Sequence, residues 1–336
     1  MKVVCEQADL ARGLALVGRA VATRTTLPIT KNVLLVAEES RLKLTATNLE
    51  IAITTWVGAR VEEVGALTVP ARLLAKFVKN LSKERITLTG KEHPATLNLE
   101  HGHSKTALHG VTSDEFPPIP TVEGKVTAKV QVQPLRTAIG QVVFAAATEN
   151  SRPAVTGIQA EFTGDEFVFA AADGFRLAVH RGRLAEPASE SATVIIPAKT
   201  LSEVQRLLRG YRRRLGEEET PVEFTVNQDH TQVLIRWKSA EMVSQLIQGA
   251  FPNYAQLIPK EHTTRAVVNV RELLRAARTA SIFGIHDRAI FRMQVFPDAE
   301  GAPGHMEVWS RAEGIGESKD ILEAKIEGQP AKIAFS

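Results

Sequence analysis

The chain of 336 residues lacks several features that mark particular classes of protein. Its single cysteine, Cys5, excludes an internal disulfide and any zinc site built mainly from thiolates. No apolar run approaches the roughly 20 residues that a membrane-spanning helix needs. The first residues, MKVVCEQADL, contain no apolar stretch of the kind found in secretion signals. We therefore expect a cytoplasmic protein with no membrane partner.

Sequence signals for catalysis are also scarce. Motifs typical of phosphate-binding loops, dinucleotide-binding folds and serine nucleophiles are missing. The HGH sequence at 101–103 has no further His or Cys at ligand spacing, so we expect a surface turn there. Aromatic residues make up 5% of the chain, too few for a platform that stacks the bases of single strands. These absences favour a binding protein with no catalytic residues, no metal and no cofactor.

What the chain does contain is an internal repeat. Three segments, 8–22, 133–147 and 270–283, carry apolar residues at helical spacing, and strand candidates flank each of them. In the first two copies a shorter helix begins at a proline, over 70–81 and 197–208. Alternating residues predict a strand before the second long helix, over 126–133, and before the third, over 265–270.

A second landmark supports the repeat. ATNLEIAI (46–53) corresponds to AADGFRLAV (171–179), with Asn48 or Asp173 at a predicted turn or bulge. Chance periodicity is the alternative explanation, and the matched PAR and PAK helix starts and the matched Phe-Pro segments count against it.

The repeat predicts an α+β fold in which helices cover one face of antiparallel sheets. Two copies are complete and a third has begun, so we expect repeat units over 1–121, 126–259 and 264–336, the last being a first half only. Units of this kind stack side by side, and curvature can close the array.

Positive charge is concentrated on the predicted helices. With their flanking turns, the five helices carry 14 basic and 3 acidic residues, whereas the rest of the chain carries 27 basic and 35 acidic residues. Such faces are typical of proteins that bind the duplex backbone without reading its sequence. Ordinary solvation of helix surfaces is the alternative. The densest basic run, 206–214, is either a contact patch or a surface loop neutralised by the acidic residues that follow it.

Several longer motifs resemble those of the bacterial DNA polymerase III beta subunit, the sliding clamp family. They are RTTLPITKNVLL (24–35), LTATNLEIAI (44–53), FAAATENSRPAVTG (144–157), AADGFRLAVH (171–180) and GAFPNYAQLIP (249–259). The resemblance implies repeated DNA-clamp domains and a head-to-tail homodimeric ring, with helices lining a central hole and sheets outside. It further implies a processivity factor that encircles double-stranded DNA without sequence preference and docks DNA polymerase III subunits, the clamp loader and other clamp-motif proteins.

The resemblance also implies three groups of site residues. Arg24 and Arg72 match DNA-contacting positions, Glu149 and Arg152 lie in a loop at the DNA, and the basic helix faces add Lys76, Lys79, Lys199 and Arg206. The positions that match the apolar peptide pocket between the second and third domains are Val155, Ala172, Gly174, Phe175, Arg176, Leu177, Pro252 and Leu257. Core packing is the alternative role for Val155 and Leu177. The positions that match the dimer interface are Leu73, Phe77, Ile282 and Phe283.

The chain departs from the family pattern at its C-terminus. It stops at IAFS (333–336), where family members continue through another helix and further strands. The alternative hypothesis is therefore a truncated clamp paralogue or fragment that binds clamp partners without forming a ring.

Overall fold

The computed structural model describes residues 1–125, 127–149, 151–209, 219–284, 290–299, 303–312 and 314–335. The chain divides into two compact units, Met1–Pro252 and Asn253–Ser336, called unit 1 and unit 2 below. The helices are α1 (Gln7–Val17), α2 (Ala71–Lys79), α3 (Val132–Val142), α4 (Ala198–Leu208) and α5 (Val270–Gly284). None of the helices in the described residues is long and apolar enough to cross a membrane.

Unit 1 contains most of the strands. They are β1 (Lys2–Glu6), β2 (Asn32–Glu38), β3 (Arg41–Thr47), β4 (Ile51–Glu63), β5 (Gly65–Pro70), β6 (Arg85–Glu92), β7 (Ala95–His101), β8 (Ser104–His109), β9 (Ala128–Val130), β10 (Gly157–Thr163), β11 (Glu166–Ala172), β12 (Leu177–Arg183), β13 (Ala192–Pro197), β14 (Val222–Val226), β15 (Gln232–Trp237) and β16 (Ala240–Gln245). The strands of unit 2 are β17 (Thr264–Val268), β18 (Phe291–Phe296), β19 (His305–Ala312), β20 (Gly316–Gly328) and β21 (Ala331–Phe335).

One antiparallel sheet of 12 strands runs through both repeats of unit 1, in the order β8-β7-β6-β1-β4-β16-β15-β14-β9, with β2, β3 and β5 branching from β4. The two repeats join where β4 pairs with β16, from Ile51 opposite Ser244 to Thr55 opposite Ala240. A second sheet has the order β12-β11-β10-β13. The strand order makes β4 the element that connects the two repeats.

The helices of unit 1 cover one face of these sheets because their apolar residues recur every three or four positions. In α1 the buried residues are Leu10, Gly13, Leu14 and Val17 along with Gln7. A Cβ at Gly13 would lie 2.7 Å from Leu44 Cδ1 and 2.9 Å from Val57 Cγ2, so a larger residue would require these side chains to shift. The apolar residues of the helices and strands thus form one continuous hydrophobic core in unit 1.

Unit 2 has the same strand–helix–strand start and a smaller core. Its sheet order is β17-β20-β19-β18-β21, and α5 packs on β19 and β20. Ala276 and Ala280 of α5 are fully buried against Val308 and Leu322. The predicted α+β fold with repeated domains is confirmed, whereas the boundaries 1–121, 126–259 and 264–336 stay a prediction.

The predicted turns at Asn48 and Asp173 are confirmed. Asn48 Oδ1 accepts hydrogen bonds from the backbone N–H groups of Glu50 and Ile51, at 3.0 and 2.9 Å. Asp173 Oδ1 accepts the equivalent bonds from Phe175 and Arg176, at 3.0 and 3.1 Å. Both side chains therefore stabilise a turn by accepting hydrogen bonds from the backbone that follows them.

Two local predictions were wrong in detail. Pro70 and Pro197 lie at the N-cap positions of α2 and α4, one residue earlier than expected, because their ψ angles of 109° and 133° are still extended. Of the strand predicted over 126–133, residue 126 lies outside the described residues, and the part from 127 onwards forms a strand only over Ala128–Val130. It ends early because α3 begins at Val132, whose N–H donates to Glu219 Oε1 at 3.0 Å.

Candidate nucleic-acid interface and peptide-docking site

The basic residues of α2 form a row that is exposed and unneutralised. Arg72, Lys76 and Lys79 recur at four- and three-residue spacing, opposite the buried Leu74 and Val78. No acidic side chain among the described residues forms an ion pair with any of the three. This row is a surface that can bind phosphate without first breaking an internal salt bridge.

Cations on the strands behave differently. Arg85 pairs with Glu6 at 3.1 Å, Lys129 with Glu186 at 2.9 Å, and the same pattern recurs in the pairs Arg60–Glu62, Lys105–Glu100, Arg236–Glu241 and Lys319–Glu307. Many strand cations are therefore paired with carboxylates, although Arg181 and Arg183 of β12 have no ion pair with a described residue, and neither do the three cations of α2. Unpaired cations contribute more to the potential at a surface than paired ones do.

Two other helices carry paired charges. Arg12 pairs with Asp9 on α1, and Glu203 of α4 pairs with Arg206 one turn later on its own helix and with Arg19, which follows α1, at 3.3 Å. Because Arg19 and Glu203 are 184 positions apart, no local pattern signals this contact. Arg206, a predicted DNA contact, is thus partly neutralised, whereas Lys199 on the same helix is exposed and has no ion pair with another described residue.

The remaining predicted DNA contacts lie on exposed turns. Arg24 is exposed in the segment between the end of the α1 region and β2, and Glu149 and Arg152 are exposed in the segment between α3 and β10. The guanidinium of Arg152 lies beside Gly174, with Nη2 3.0 Å from the place where a Cβ would be. Of the basic run 206–214, residues 210–214 lie outside the described residues.

The turn after β11 presents an apolar side chain beside a cation. Gly174 has a φ of +96°, which favours glycine, and Phe175 next to it is 100% exposed. Arg176 Nε donates to Asp173 Oδ2 at 2.9 Å, and its guanidinium lies over the ring of Phe144, 5.8 Å from the centroid. Phe144 is 57% exposed and was missed by the sequence analysis, although it is an apolar residue directly after a helix.

Asp173 holds this turn together as a carboxylate. Burial alone would raise the pKa of this carboxyl group, but the N–H groups of Phe175 and Arg176 and the Arg176 side chain outweigh it, so the pKa is lowered. The carboxylate therefore stays charged near neutral pH and keeps Phe175 and Arg176 in place.

The other predicted pocket residues differ in exposure. Val155 and Ala172 are buried, at 4% and 8% exposure, yet neither belongs to the main core cluster of unit 1. Leu177 is half-buried at the start of β12. Pro252 is exposed at the end of unit 1, and Leu257 of unit 2 is 66% exposed. Within unit 1, the structure brings Gly174, Phe175, Arg176 and Leu177 into one turn.

The predicted interface residues include two with large apolar exposure. Leu73 on α2 is 52% exposed and Ile282 on α5 is 63% exposed. Phe77 is half-buried against the core of unit 1, and the ring of Phe283 lies beside Gly316 at the start of β20. Exposed aliphatic side chains on helices are suited to an interface between protein chains.

Acidic and thiol groups are not gathered for metal binding in the part of the chain that the structure describes. His101 is buried at the end of β7, where its Nε2 lies 3.1 Å from the carbonyl oxygen of Ser82, so the HGH sequence is only partly a surface turn. Cys5 is buried in the sheet, and burial raises the pKa of its thiol to about 12.

Comparisons with known proteins agree with this arrangement. Family models of the DNA polymerase III beta subunit match residues 1–120 for the N-terminal domain and 129–253 for the central domain. The beta sliding clamp of Synechococcus elongatus is 31% identical and is aligned over 100% of this chain and 87% of its own length. The beta sliding clamp of Synechocystis sp. is 32% identical, over 100% and 88%.

Solved structures give the same result. The DNA polymerase sliding clamp of Bacillus subtilis superposes with a TM-score of 0.90 at 26% identity, over 100% of this chain and 87% of that chain. The DNA polymerase III beta subunit of Pseudomonas aeruginosa gives a TM-score of 0.87 at 26% identity, over the same shares. The antiparallel sheets, the repeated units and the matches over the whole length lead to one conclusion: the chain belongs to the beta sliding clamp family of DNA polymerase III.

Proposed function

We propose that two copies of this chain join head to tail into a ring around duplex DNA and hold DNA polymerase III on its template. The ring would act by enclosure, without catalysis and without a cofactor, in the cytoplasm. The three domains proposed for each copy are 1–121, 126–259 and 264–336. The observation that carries the proposal is the β4–β16 pairing, because it displays inside one chain how neighbouring repeats join.

The two strands of this junction have counterparts elsewhere in the chain that form no such junction among the described residues. β8 corresponds to β16, since both are the second strands of hairpins with two-residue loops, closed by His101 opposite Ser104 and by Trp237 opposite Ala240. Among the described residues β8 pairs only with β7, which leaves its other edge open. An open strand edge is a template for pairing with another chain.

β20 corresponds to β4. Ala324 pairs with Val268 of β17 just as Ala59 pairs with Cys5 of β1, and both partner strands lead into the first helix of their repeat. The first part of β20, from Gly316 to Asp320, pairs with β19 and with no second strand of the described chain. We therefore propose that β20 of one copy pairs with β8 of the other.

The helices beside the junction support the same assembly. Glu203 of α4 corresponds to Lys76 of α2, and Arg19 after α1 corresponds to Ile282 of α5. Because Arg19 contacts Glu203 inside the chain, the equivalent contact between copies would place Ile282 beside α2 of its partner. This placement brings the exposed Ile282 and Leu73 into one interface, where both can be buried.

The unpaired cations support the DNA-binding part of the proposal. Arg24, Arg72, Lys76, Lys79 and Lys199 would face the duplex, and Arg152 would contribute from its loop. Contacts of this kind neutralise phosphates without reading bases, as sliding requires. Glu203 would keep Arg206 from binding any one phosphate tightly.

The turn of unit 1 that carries Phe175 supports the docking part. An exposed aromatic ring beside Arg176 suits short hydrophobic peptide segments, including those of polymerase III subunits, the clamp loader and other clamp-motif proteins. Leu177, Val155 and Ala172 would form its walls, and Pro252 and Leu257 are the further positions proposed for the pocket.

A disulfide test follows from the register of the proposed pairing. Met242 lies opposite Ile53 at the internal junction, and the corresponding residues between copies are Thr106 and Ser318. Directly opposed side chains have Cβ atoms about 4.5–5.5 Å apart, close enough for a disulfide after small shifts. When the Thr106→Cys and Ser318→Cys variants are mixed and then oxidised, they should form a covalent dimer. Neither variant alone should form one.

The matched control moves one cysteine by a single position. Glu317→Cys lies next to Ser318 on β20, and its side chain points to the opposite face of the strand. Mixed with Thr106→Cys, it should cross-link poorly. Equal cross-linking by Glu317→Cys, or none by Ser318→Cys, would refute the proposed register. Cys5 does not interfere because it is buried with its pKa raised to about 12.

A further inference from the structure

A cavity of 450 Å³ lies at the junction of the two repeats of unit 1, on the sheet face turned away from the helices. Thr45, Thr54 and Trp56 line it, whereas their neighbours Leu44 and Ile53 point into the core. The connecting segment 113–122, which contains Phe-Pro-Pro-Ile-Pro, covers it. The cavity is separate from both the basic helix faces and the turn at Asp173.

The cavity has the size and the walls of a small-molecule site. Leu34 belongs to the first repeat, Leu234 and Val243 belong to the second, and Pro117 and Pro118 of the connecting segment complete the apolar lining. Sites for small ligands have volumes of about 300–1,000 Å³ with mostly apolar walls and a few polar groups that fix orientation. A ligand here would contact both repeats at once.

The hydroxyl groups of the cavity include a proton without an acceptor. The hydroxyl oxygens of Thr45 and Thr54 lie 3.1 Å apart, and this single bond uses one of their two protons. Both threonines are buried, at 2% and 8% exposure. The second hydroxyl proton can be donated, so the cavity is complementary to a ligand with an acceptor oxygen. Trp56 is part of the wall, whereas its N–H group is buried away from the cavity.

The charges at the cavity favour an anion. Glu241 is held by Arg236, with Nε 2.9 Å from Oε1, so its carboxylate is already neutralised. Lys43 also lines the cavity, and its nearest carboxylate oxygen, on Glu38, is 3.7 Å away. That distance is longer than a charge-assisted hydrogen bond, so the ammonium group can accept a closer anion.

We propose that this cavity binds a small carboxylic acid with a flat apolar body. The body would lie among Leu34, Val243 and the prolines, and the carboxylate would accept a hydrogen bond from a threonine hydroxyl group near Lys43. This site goes beyond the proposed function and does not depend on ring formation. Because the ligand would bridge the two repeats, it would stabilise unit 1 against unfolding.

The test uses 2-naphthoate as the probe and the three tryptophans of the chain as reporters. In protein labelled with ¹⁵N at the indole nitrogens, titration should shift the Trp56 N–H resonance with saturation below 5 mM and leave the Trp309 resonance in place. Trp56→Phe and Trp309→Phe assign the resonances. The neutral probe 2-naphthamide should bind several-fold more weakly, and Lys43→Gln should remove that difference.

Val243→Phe is the variant that closes the site. Its larger side chain would occupy the cavity floor, so the Trp56 shift and the rise in Tm caused by naphthoate should both be lost. Thr193→Phe, at an exposed position on β13, is the matched control and should bind as the unchanged chain does. No Trp56 shift at 5 mM, an equal shift in Val243→Phe, or a larger shift at Trp309 would each overturn the proposal.

Discussion

Cations on the helices differ in whether a carboxylate pairs with them, as Glu203 and the row on α2 illustrate. Glu203 is shared by Arg19 and Arg206, whereas Arg72, Lys76 and Lys79 have no acidic partner in the described residues. The proposed DNA-binding surface therefore combines cations without an acidic partner in the described residues with cations that are already partly neutralised. Such a balance would give DNA affinity without strong retention at one phosphate.

Replacing Glu203 with Gln should strengthen duplex binding. The substitution removes the anion shared by two arginines, so both become available to phosphate, and the slope of log affinity against log salt should steepen by about 1–2. Fluorescence anisotropy across a salt series measures this. Glu166→Gln, on a strand, is the control and should change neither quantity. Unchanged or weaker binding by Glu203→Gln would place α4 away from the DNA.

Replacing Arg72 with Gln should weaken binding to every duplex sequence by a similar factor. One lost phosphate contact should reduce the salt slope by about 0.9. Arg85→Gln is the matched control, because Arg85 is an exposed arginine already paired with Glu6 on the strands. The interpretation fails if the loss depends on DNA sequence, or if Arg85→Gln causes an equal loss.

The Asp173 turn should make a pH-dependent contribution to stability. Its pKa is lowered in the folded chain from the usual 3.8, so the carboxylate contributes above that value and the contribution is lost as pH falls through the folded pKa. The unchanged chain should therefore have a higher urea midpoint than Asp173→Asn at pH 6, and the difference should shrink towards pH 3. A difference that stays constant over this range would contradict the assignment.

At the scale of elements, local patterns predicted the helices and turns but not the contacts between distant strands. Leu10, Leu14 and Val17 recur at helical spacing, and a helix of that amphipathic kind forms wherever its apolar side can be buried. The β4–β16 register depends on residues almost 200 positions apart, and no local signal encodes it. The end of β9 was misjudged for the same reason, because the distant Glu219 caps α3.

The candidate site was predictable to a similar extent. The resemblance supplied Arg24 and Arg72, which stay predictions, and the Asp-Gly pair signalled the Asp173 turn, since each lies within a contiguous motif. It did not supply the Glu203 pairs or the contact of Arg176 with Phe144, because these depend on how separate elements pack. Residues with a role inside one motif are thus visible in the sequence, and residues that act across elements are not.

Ile282→Asp should weaken the association of two copies at least tenfold. Ile282 is 63% exposed at the end of α5, so a charge there should spare the fold and oppose burial in an interface. Light scattering over a concentration series measures the effect. Ile333→Asp on β21 is the control, since Ile333 is similarly exposed, at 53%, outside the proposed contact. Equal behaviour of the two variants would move the interface elsewhere.

At the scale of the whole molecule, each unit displays by itself part of what a ring would require. Unit 1 carries the internal junction, the open edge of β8 and the unpaired cations. Unit 2 carries the open part of β20 and the exposed Ile282. Two copies provide two identical junctions, which is what a closed head-to-tail ring requires.

Trapping on circular DNA tests enclosure most directly. The double variant Thr106→Cys, Ser318→Cys would be oxidised in the presence of a nicked circular plasmid, and this oxidation would close both junctions covalently. If the ring encloses DNA, some of the covalent dimer should stay with the plasmid in detergent and high salt. It should be released when a restriction enzyme linearises the DNA. Covalent dimer that washes off the circle, or that remains bound after linearisation, would contradict a ring around DNA.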